Sequence, residues 1–208
     1  MDVYEAISRR MTIREFENRA IPMDILRKLL AAGLQAPTND HLRQWEFILV
    51  QDAAAREALI SQINSSRTKN DAEMLVNQWG MTDSSQRDMY LDAIPKQYAM
   101  LLHAGCLIIP CFHATGELLK PETLSSLNSF ASIWCCIENI LIAAAAEGIF
   151  GVTRIPAERE REHLRRVLNI PESYEVPCYL ALGYPAPTAK RLKQHEITIE
   201  EKIHLNSW

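Results

Sequence analysis

Residues 124–147 constrain this chain more than any other stretch. The spacing predicts one long helix with apolar residues almost all round it: Phe130, Ile133, Trp134, Ile137, Ile140, Leu141, Ile142 and the run Ala143 to Ala146. A helix apolar on most faces has to be buried on several sides. Packing against a copy of itself across a two-fold axis is one way to achieve that, and is the reading preferred here. The other is a central helix in a monomeric core. The apolar stretch 137–150 is not read as a membrane span, because Glu138, Asn139 and Glu147 interrupt it.

Helices and strands alternate around this element. Asp2 caps a short helix running through Ser8, with Val3, Ile7 and Tyr4 expected to face inward. A second helix follows Pro22 at its first turn, with Ile25, Leu26, Leu29, Leu30 and Ala32 on one face and Gly33 near its end. Residues 36–44 read as a polar loop and 45–50 as a strand. Residues 53–63 and 95–103 read as helices, and 106–112 as a buried strand. Between them, 64–92 lacks a clear pattern and is expected to be an insertion or lid, with Trp79, Met81, Met89 and Tyr90 as its apolar points. Strands at 148–153 and 176–182 flank an amphipathic helix at 157–168. The tail, 186–208, ends in Ile197, Ile199, Ile203, Leu205 and Trp208, and is expected to dock on a partner subunit. Such alternation predicts an α/β or α+β domain.

Several chemistries are disfavoured. The 208 residues carry a net charge of -4, so bulk electrostatics do not favour nucleic acid, although a local basic cluster can still hold one phosphate. The cysteines (Cys106, Cys111, Cys135, Cys136 and Cys178) show no CxxC or zinc spacing and read as small buried hydrophobes, so no metal is expected. Neither a GxGxxG nor a Walker A sequence is present. No Ser/His/Asp constellation can be defended, so no side chain is assigned as catalytic. The first residues lack the pattern of a secretory leader, and the expected compartment is the cytoplasm.

Three polar clusters remain. Arg9, Arg10, Thr12 and Arg14 fall within six residues where the helical pattern has broken. In an extended segment Arg10, Thr12 and Arg14 project to one side, an arrangement suited to an anion that accepts bidentate arginine bonds. Spacing alone equally describes a solvated basic turn, the more ordinary reading. Lys190, Arg191 and Lys193 form a second basic run, and a solvated charge run is again the ordinary reading. The third cluster is the loop containing Pro37, Thr38, Asn39 and His41.

Taken in order, these pieces resemble the nitroreductase family of FMN-dependent oxidoreductases. The resemblance rests on Arg9-Arg10-Met11-Thr12-Ile13-Arg14-Glu15-Phe16, Ala36-Pro37-Thr38 before Trp45-Glu46-Phe47, and Glu147-Gly148-Ile149-Phe150-Gly151-Val152. Leu182-Gly183-Tyr184-Pro185 and the terminal Ile203-His204-Leu205-Asn206-Ser207-Trp208 complete it. It implies a single α+β domain over 1–208, with a central mixed, mostly antiparallel sheet flanked by helices. It further implies an intertwined homodimer with FMN sites at the interface. NADH or NADPH would reduce the flavin, and a flat, electron-poor acceptor such as a nitroaromatic or quinone would then take two electrons in a ping-pong cycle. A flavin dehalogenase and a non-catalytic FMN store or sensor are the alternatives.

By position, the resemblance places Arg10 and Thr12 at the phosphate and ribityl end and Arg14 at the N1/C2 carbonyl edge, with Arg9 and Met11 of the same segment also binding the cofactor. Thr38 would approach from the other subunit, and Pro37, Asn39 and His41 of its loop would also bind the cofactor. Gln97 would meet the pyrimidine edge, the backbone of Arg154 and Ile155 would face N5, and Arg191 or Lys193 would close on the phosphate. A cation at ~4 Å from a developing anion is worth about 4 kcal/mol at an effective dielectric of ~20, so Arg14 is expected to raise the flavin potential. Two departures stand out. The family loop commonly reads P-S-x-x-N-x-Q-P-W, whereas His41, Arg43 and Gln44 precede Trp45 here. Pro156, without an N–H, leaves the Ile155 amide as the donor to N5.

Overall fold

The computed structural model describes residues 1–114 and 116–208. Five strands form one sheet: β1 (Trp45–Val50), β2 (Cys106–His113), β3 (Phe150–Arg154), β4 (Tyr174–Glu175) and β5 (Tyr179–Gly183). The order is β1-β2-β5-β3, with β4 also on β2. Every pairing between these strands is antiparallel. Among the described residues, the parallel component expected of a mixed sheet reduces to one isolated bridge, Thr12 with Gly151.

β2 is apolar without alternation because both its faces are covered. Cys106, Ile108 and Phe112 belong to one core, with Leu26 and Leu29 of α2 (Met23–Gly33) and Ile133, Ile137 and Ile140 of α7 (Asn128–Ala146). Leu107, Ile109 and Cys111 face a second core, with Leu59 of α3 (Ala53–Leu59), Leu101 of α6 (Ala99–Leu102) and Leu164 of α8 (Glu158–Leu168). By length and composition α7 could cross a bilayer, but here it packs on α2 and the sheet.

The register along β2 slips by one residue between β5 (Cys106 opposite Leu182) and β4 (Phe112 opposite Glu175), which is how an extra residue bulges a strand. Pro110 and Pro177 both sit at this break. Even-numbered β2 amides point toward β4 and β5, as Ala114 N–H does to Ser173 O at 2.9 Å, so the donor that Pro110 lacks falls in the interruption.

Several expectations need correction. On α1 (Val3–Arg9) only Ala6 is buried; Val3, Tyr4 and Ile7 face outward. Pro22 is the residue before α2, and α3 ends at Leu59, short of 63. The segment 64–92 is not patternless. It holds α4 (Lys69–Gln78) and most of α5 (Ser84–Lys96), which pack through Ala72, Val76 and Ile94, and Trp79 meets Tyr90 edge-on at 5.6 Å. Pro95 does not open a helix. It sits in the last turn of α5, where it removes the bond its amide would have given to the Leu91 carbonyl and so helps to end the helix, and only the short α6 follows. The tail has one 3-10 turn, Ile199–Lys202, and its apolar side chains are exposed on the single chain.

Burial pushes the thiols of Cys106, Cys111 and Cys136 up to about 11, 12 and 12, and raises Cys178 further, while Cys135 is exposed. The thiolate is the reactive form. Native protein at pH 8 should therefore give no more than one fast thiol with a disulfide-exchange dye. Two or more would contradict this burial.

Candidate functional site

After Arg9 the chain leaves α1 and runs extended along β3. The Ile13 amide bonds Gly151 O at 3.2 Å, Glu17 N–H bonds Tyr184 O at 2.9 Å, and Ala186 N–H bonds Glu15 O at 3.0 Å. The approach is close enough that a Cβ on Gly151 would lie 2.5 Å from Leu182 Cδ2 and 2.7 Å from Ala181 O, and one on Gly183 2.7 Å from the Phe16 ring. Ile13 turns inward onto Ala145 and Phe150, with Met11 packed beside it.

Arg10, Thr12 and Arg14 line a cleft of about 450 Å³ together with Met11. Asp83, Ser85, Gln86 and Met89 of the α5 region form a second wall, and Leu192, Lys193, Gln194 and His195 of the tail a third. Small-molecule sites span roughly 300–1,000 Å³, so the size suits a cofactor. Lys193 thus lies on the cleft. Arg9, the exposed last residue of α1, and Arg191, also exposed, are not among its lining residues.

Arg10 Nε sits 3.2 Å from Glu138. Arg14 Nη1 lies 3.7 Å from Asp92, whose other oxygen is 2.5 Å from Lys96; Lys96 also bonds Glu15 at 2.9 Å. Burial lowers the Arg14 pKa and Asp92 partly restores it; the guanidinium stays charged. Asp83 accepts the Gln86 amide at 2.7 Å and pairs with His195 at 2.9 Å, which ties the tail to the start of α5.

The remaining sequence candidates lie elsewhere. Gln97 Oε1 accepts from Arg154 Nε at 3.4 Å. The Arg154 guanidinium is held by Glu160 at 2.5 and 2.9 Å, and Glu160 also accepts the Ala157 amide at 3.0 Å, which fixes the start of α8. The Arg154 side chain is therefore committed to structure. Ile155 is exposed just beyond β3. Pro37, Thr38, Asn39 and His41 precede β1, on the opposite edge of the sheet from β3. With strands ~4.8 Å apart, the two edges are separated by about 14 Å, so this loop and the arginine segment do not share one cleft within a chain. Within the loop Thr38 Oγ1 bonds Asp40 at 3.2 Å, Ser132 bonds Asn39 at 3.5 Å, and His41 and Arg43 adopt positive φ of 61 and 48.

Sequence reading missed Glu15 and Asp92 as site residues; it expected 64–92 to be a lid, but the residues of that segment that line the cleft are Asp83, Ser85, Gln86 and Met89, not Trp79 or Tyr90. A signal was available. Asp92 and Lys96 stand four apart, the spacing of a helical ion pair, and Asp83 with Gln86 three later is a helix-start pattern.

The nitroreductase family signature matches residues 7–184. A Methanothermobacter thermautotrophicus protein, provisionally named an NADH dehydrogenase/NAD(P)H nitroreductase, is 28% identical over 218 residues, covering 100% of this chain and 88% of that protein. A BluB-like flavoprotein of Clostridium difficile superposes with a TM-score of 0.72 at 16% identity, over 100% of both chains. An oxidized iodotyrosine deiodinase bound to FMN and 3-iodo-L-tyrosine gives 0.66 at 17% identity, again over 100% of both. Fold and family signature together define the class, an α+β oxidoreductase. The chain belongs to the nitroreductase family.

Three carboxyls sit below their ordinary values. For Asp71 and Asp83 the main cause is a backbone amide at a helix start. Burial raises Glu15, but Lys96 and Lys190 more than offset it through hydrogen bonds and charge. A depressed folded-state pKa gives stability that is complete above the unfolded value, about 4, and is lost as pH falls through the folded values. Their contribution to stability, followed by denaturant unfolding with circular dichroism, should thus be lost progressively as pH falls below about 5; a stability that does not fall between about pH 5 and 2 would contradict their assignment.

Proposed function

We propose that this cleft binds FMN and that the protein is an NAD(P)H-dependent reductase of small, flat, electron-poor acceptors such as nitroaromatics or quinones. One observation carries the reading. Arg10, Thr12 and Arg14 near the start of the chain, and Lys193 near its end, converge on one cofactor-sized cleft. The donor set fits a phosphate monoester, for which arginine and lysine are the usual partners. The one carboxylate in the lining, Asp83, is already engaged by His195 and the Gln86 amide.

Bound FMN supplies the redox chemistry, accepting a hydride from the nicotinamide and returning two electrons to the acceptor. The chain binds and orients. Arg10, Thr12 and Lys193 hold the phosphate and ribityl end, and Arg14 places positive charge against the ring edge. Met89 and Leu192 give the cleft apolar wall. The α4–α5 segment shapes the acceptor side as a lid.

The loop of Thr38 completes the site from a second copy. Its distance from the arginine segment within one chain supports this, as does the apolar surface left open on α1, where Val3, Tyr4 and Ile7 are 60%, 80% and 49% exposed. An apolar patch of this kind marks an interaction surface. The exposed tail side chains dock on the same partner. Light scattering should give about twice the chain mass of 23.7 kDa; a monomer at micromolar concentration would remove the second copy from the site.

A second reading, reductive dehalogenation, is favoured by a relative: an iodotyrosine deiodinase of Nematostella vectensis is 20% identical over 195 residues, covering 91% of this chain and 69% of that protein. Iodide release from an iodophenol, the carbon–iodine bond becoming carbon–hydrogen at the cost of two electrons and a proton, would favour it over nitro reduction.

The freshly purified protein should show a flavin band that bleaches within seconds on anaerobic addition of NAD(P)H, with FMN as the released cofactor. A band that persists would point to storage or sensing. In the FMN-bound protein, Arg14→Ala should lower the midpoint potential, and an unchanged midpoint would remove Arg14 from the ring edge.

A further inference from the structure

Asp92 is the most enclosed charge near the cleft, its side chain only 5% exposed. It projects from α5 into a group of three cations. Lys96 Nζ is 2.5 Å from Oδ1, Lys190 Nζ is 3.8 Å from the same oxygen, and Arg14 Nη1 is 3.7 Å from Oδ2. Glu15 completes the group, accepting from Lys96 Nζ at 2.9 Å and from the Lys190 amide at 3.3 Å.

A buried ion pair is weak support for a fold, because apolar residues of similar size often serve as well or better. On the inner side of α5, next to Ile94, an apolar residue would fit that purpose. The contacts are also unequal. Lys96 holds Asp92 at hydrogen-bond distance, while Arg14 stands off. The carboxylate therefore couples more strongly to Lys96 than to Arg14, and offsets the charge of Arg14 only in part.

We infer that Asp92, balanced by Lys96, is a positioning residue that sets how much positive charge Arg14 presents to the bound flavin, and so sets the flavin's reduction potential. The inference rests on the FMN reading above. Taking up a hydride, two electrons and one proton, makes the flavin one unit more negative. Charge within a few ångströms in a partly dry site therefore biases reduction. Removing Asp92 strengthens the field of Arg14 and Lys96 and favours the reduced form. Removing the charge of Lys96 releases Asp92 onto Arg14 and disfavours it. The two substitutions act in opposite directions, whereas a purely structural role predicts lost stability in both and no ordered change in potential.

The test is the midpoint potential of the FMN-bound protein, measured by equilibration with redox dyes. Relative to wild type, Asp92→Asn should shift upward and Lys96→Gln downward, each by about tenfold in the reduction equilibrium, which is ~30 mV for a two-electron couple. Asp92→Glu should return the midpoint toward wild type. Midpoints unchanged within error, or both moving the same way, would overturn the inference while leaving the FMN reading intact. A wild-type protein that takes up no FMN would instead overturn that reading, and the role of Asp92 with it. If Asp92→Asn does not fold, the sign of the Lys96→Gln shift decides alone.

Discussion

The arginine segment lies against the sheet because two positions beneath it carry no Cβ. At Gly151 any side chain would drive into Leu182 and the Ala181 carbonyl, and at Gly183 into the ring of Phe16. Sheet and segment are close-packed here, so a single added methyl group has nowhere to go. That contact sets the register of residues 10–17. With the Ile13 amide on Gly151 and the Glu17 amide on Tyr184, alternation does the rest, turning Ile13 into the core and Arg10, Thr12 and Arg14 toward the cleft.

The other two walls depend on that first placement. Glu15, fixed by the Ala186 amide, reaches Lys96 on α5 and the Lys190 amide in the tail. His195 then pins the tail to the capping carboxylate of α5, Asp83. Three segments remote in sequence are thus joined by charge, beside a small apolar cluster in which Ala189 of the tail packs with Ile13 and Phe150. Each surface contact of this kind is worth little by itself, and the burial of Asp92 adds a desolvation cost that its cations offset, so the network fixes geometry more than it adds stability. The cleft wall consequently carries an excess of positive charge, with Arg10, Arg14 and Lys193 set against the single carboxylate of Asp83.

Much of this was legible in the sequence where apolar pattern was dense. The long helix, the buried β2, the amphipathic α8 and the loop into β1 follow from periodicity and composition; these left α/β and α+β open, and only the family resemblance pointed to α+β. The α4–α5 region was not legible by the same means. Its inner side is partly polar, with Asp92 buried beside Ile94, so the hydrophobic period that betrays a helix is weak there. Only its caps, Thr68 with Asp71 and Asp83 with Gln86, spoke for helices. The outward turn of Val3, Tyr4 and Ile7 was misread because an apolar stripe announces burial without saying against what. Clustering Arg10, Thr12 and Arg14 was within reach of spacing, whereas their meeting with Lys193 required the tail to fold back, which no local pattern encodes.

The central claim is that the charged cleft holds a phosphorylated flavin by its phosphate. Calorimetric titration of apo-protein with FMN and with riboflavin, which differ by that group alone, tests it most directly. Two charge-assisted contacts at about 1.5 kcal/mol or more each predict at least about a hundredfold tighter binding of FMN, at one flavin per chain. Equal affinity for the two flavins, or no heat with either, would contradict the account.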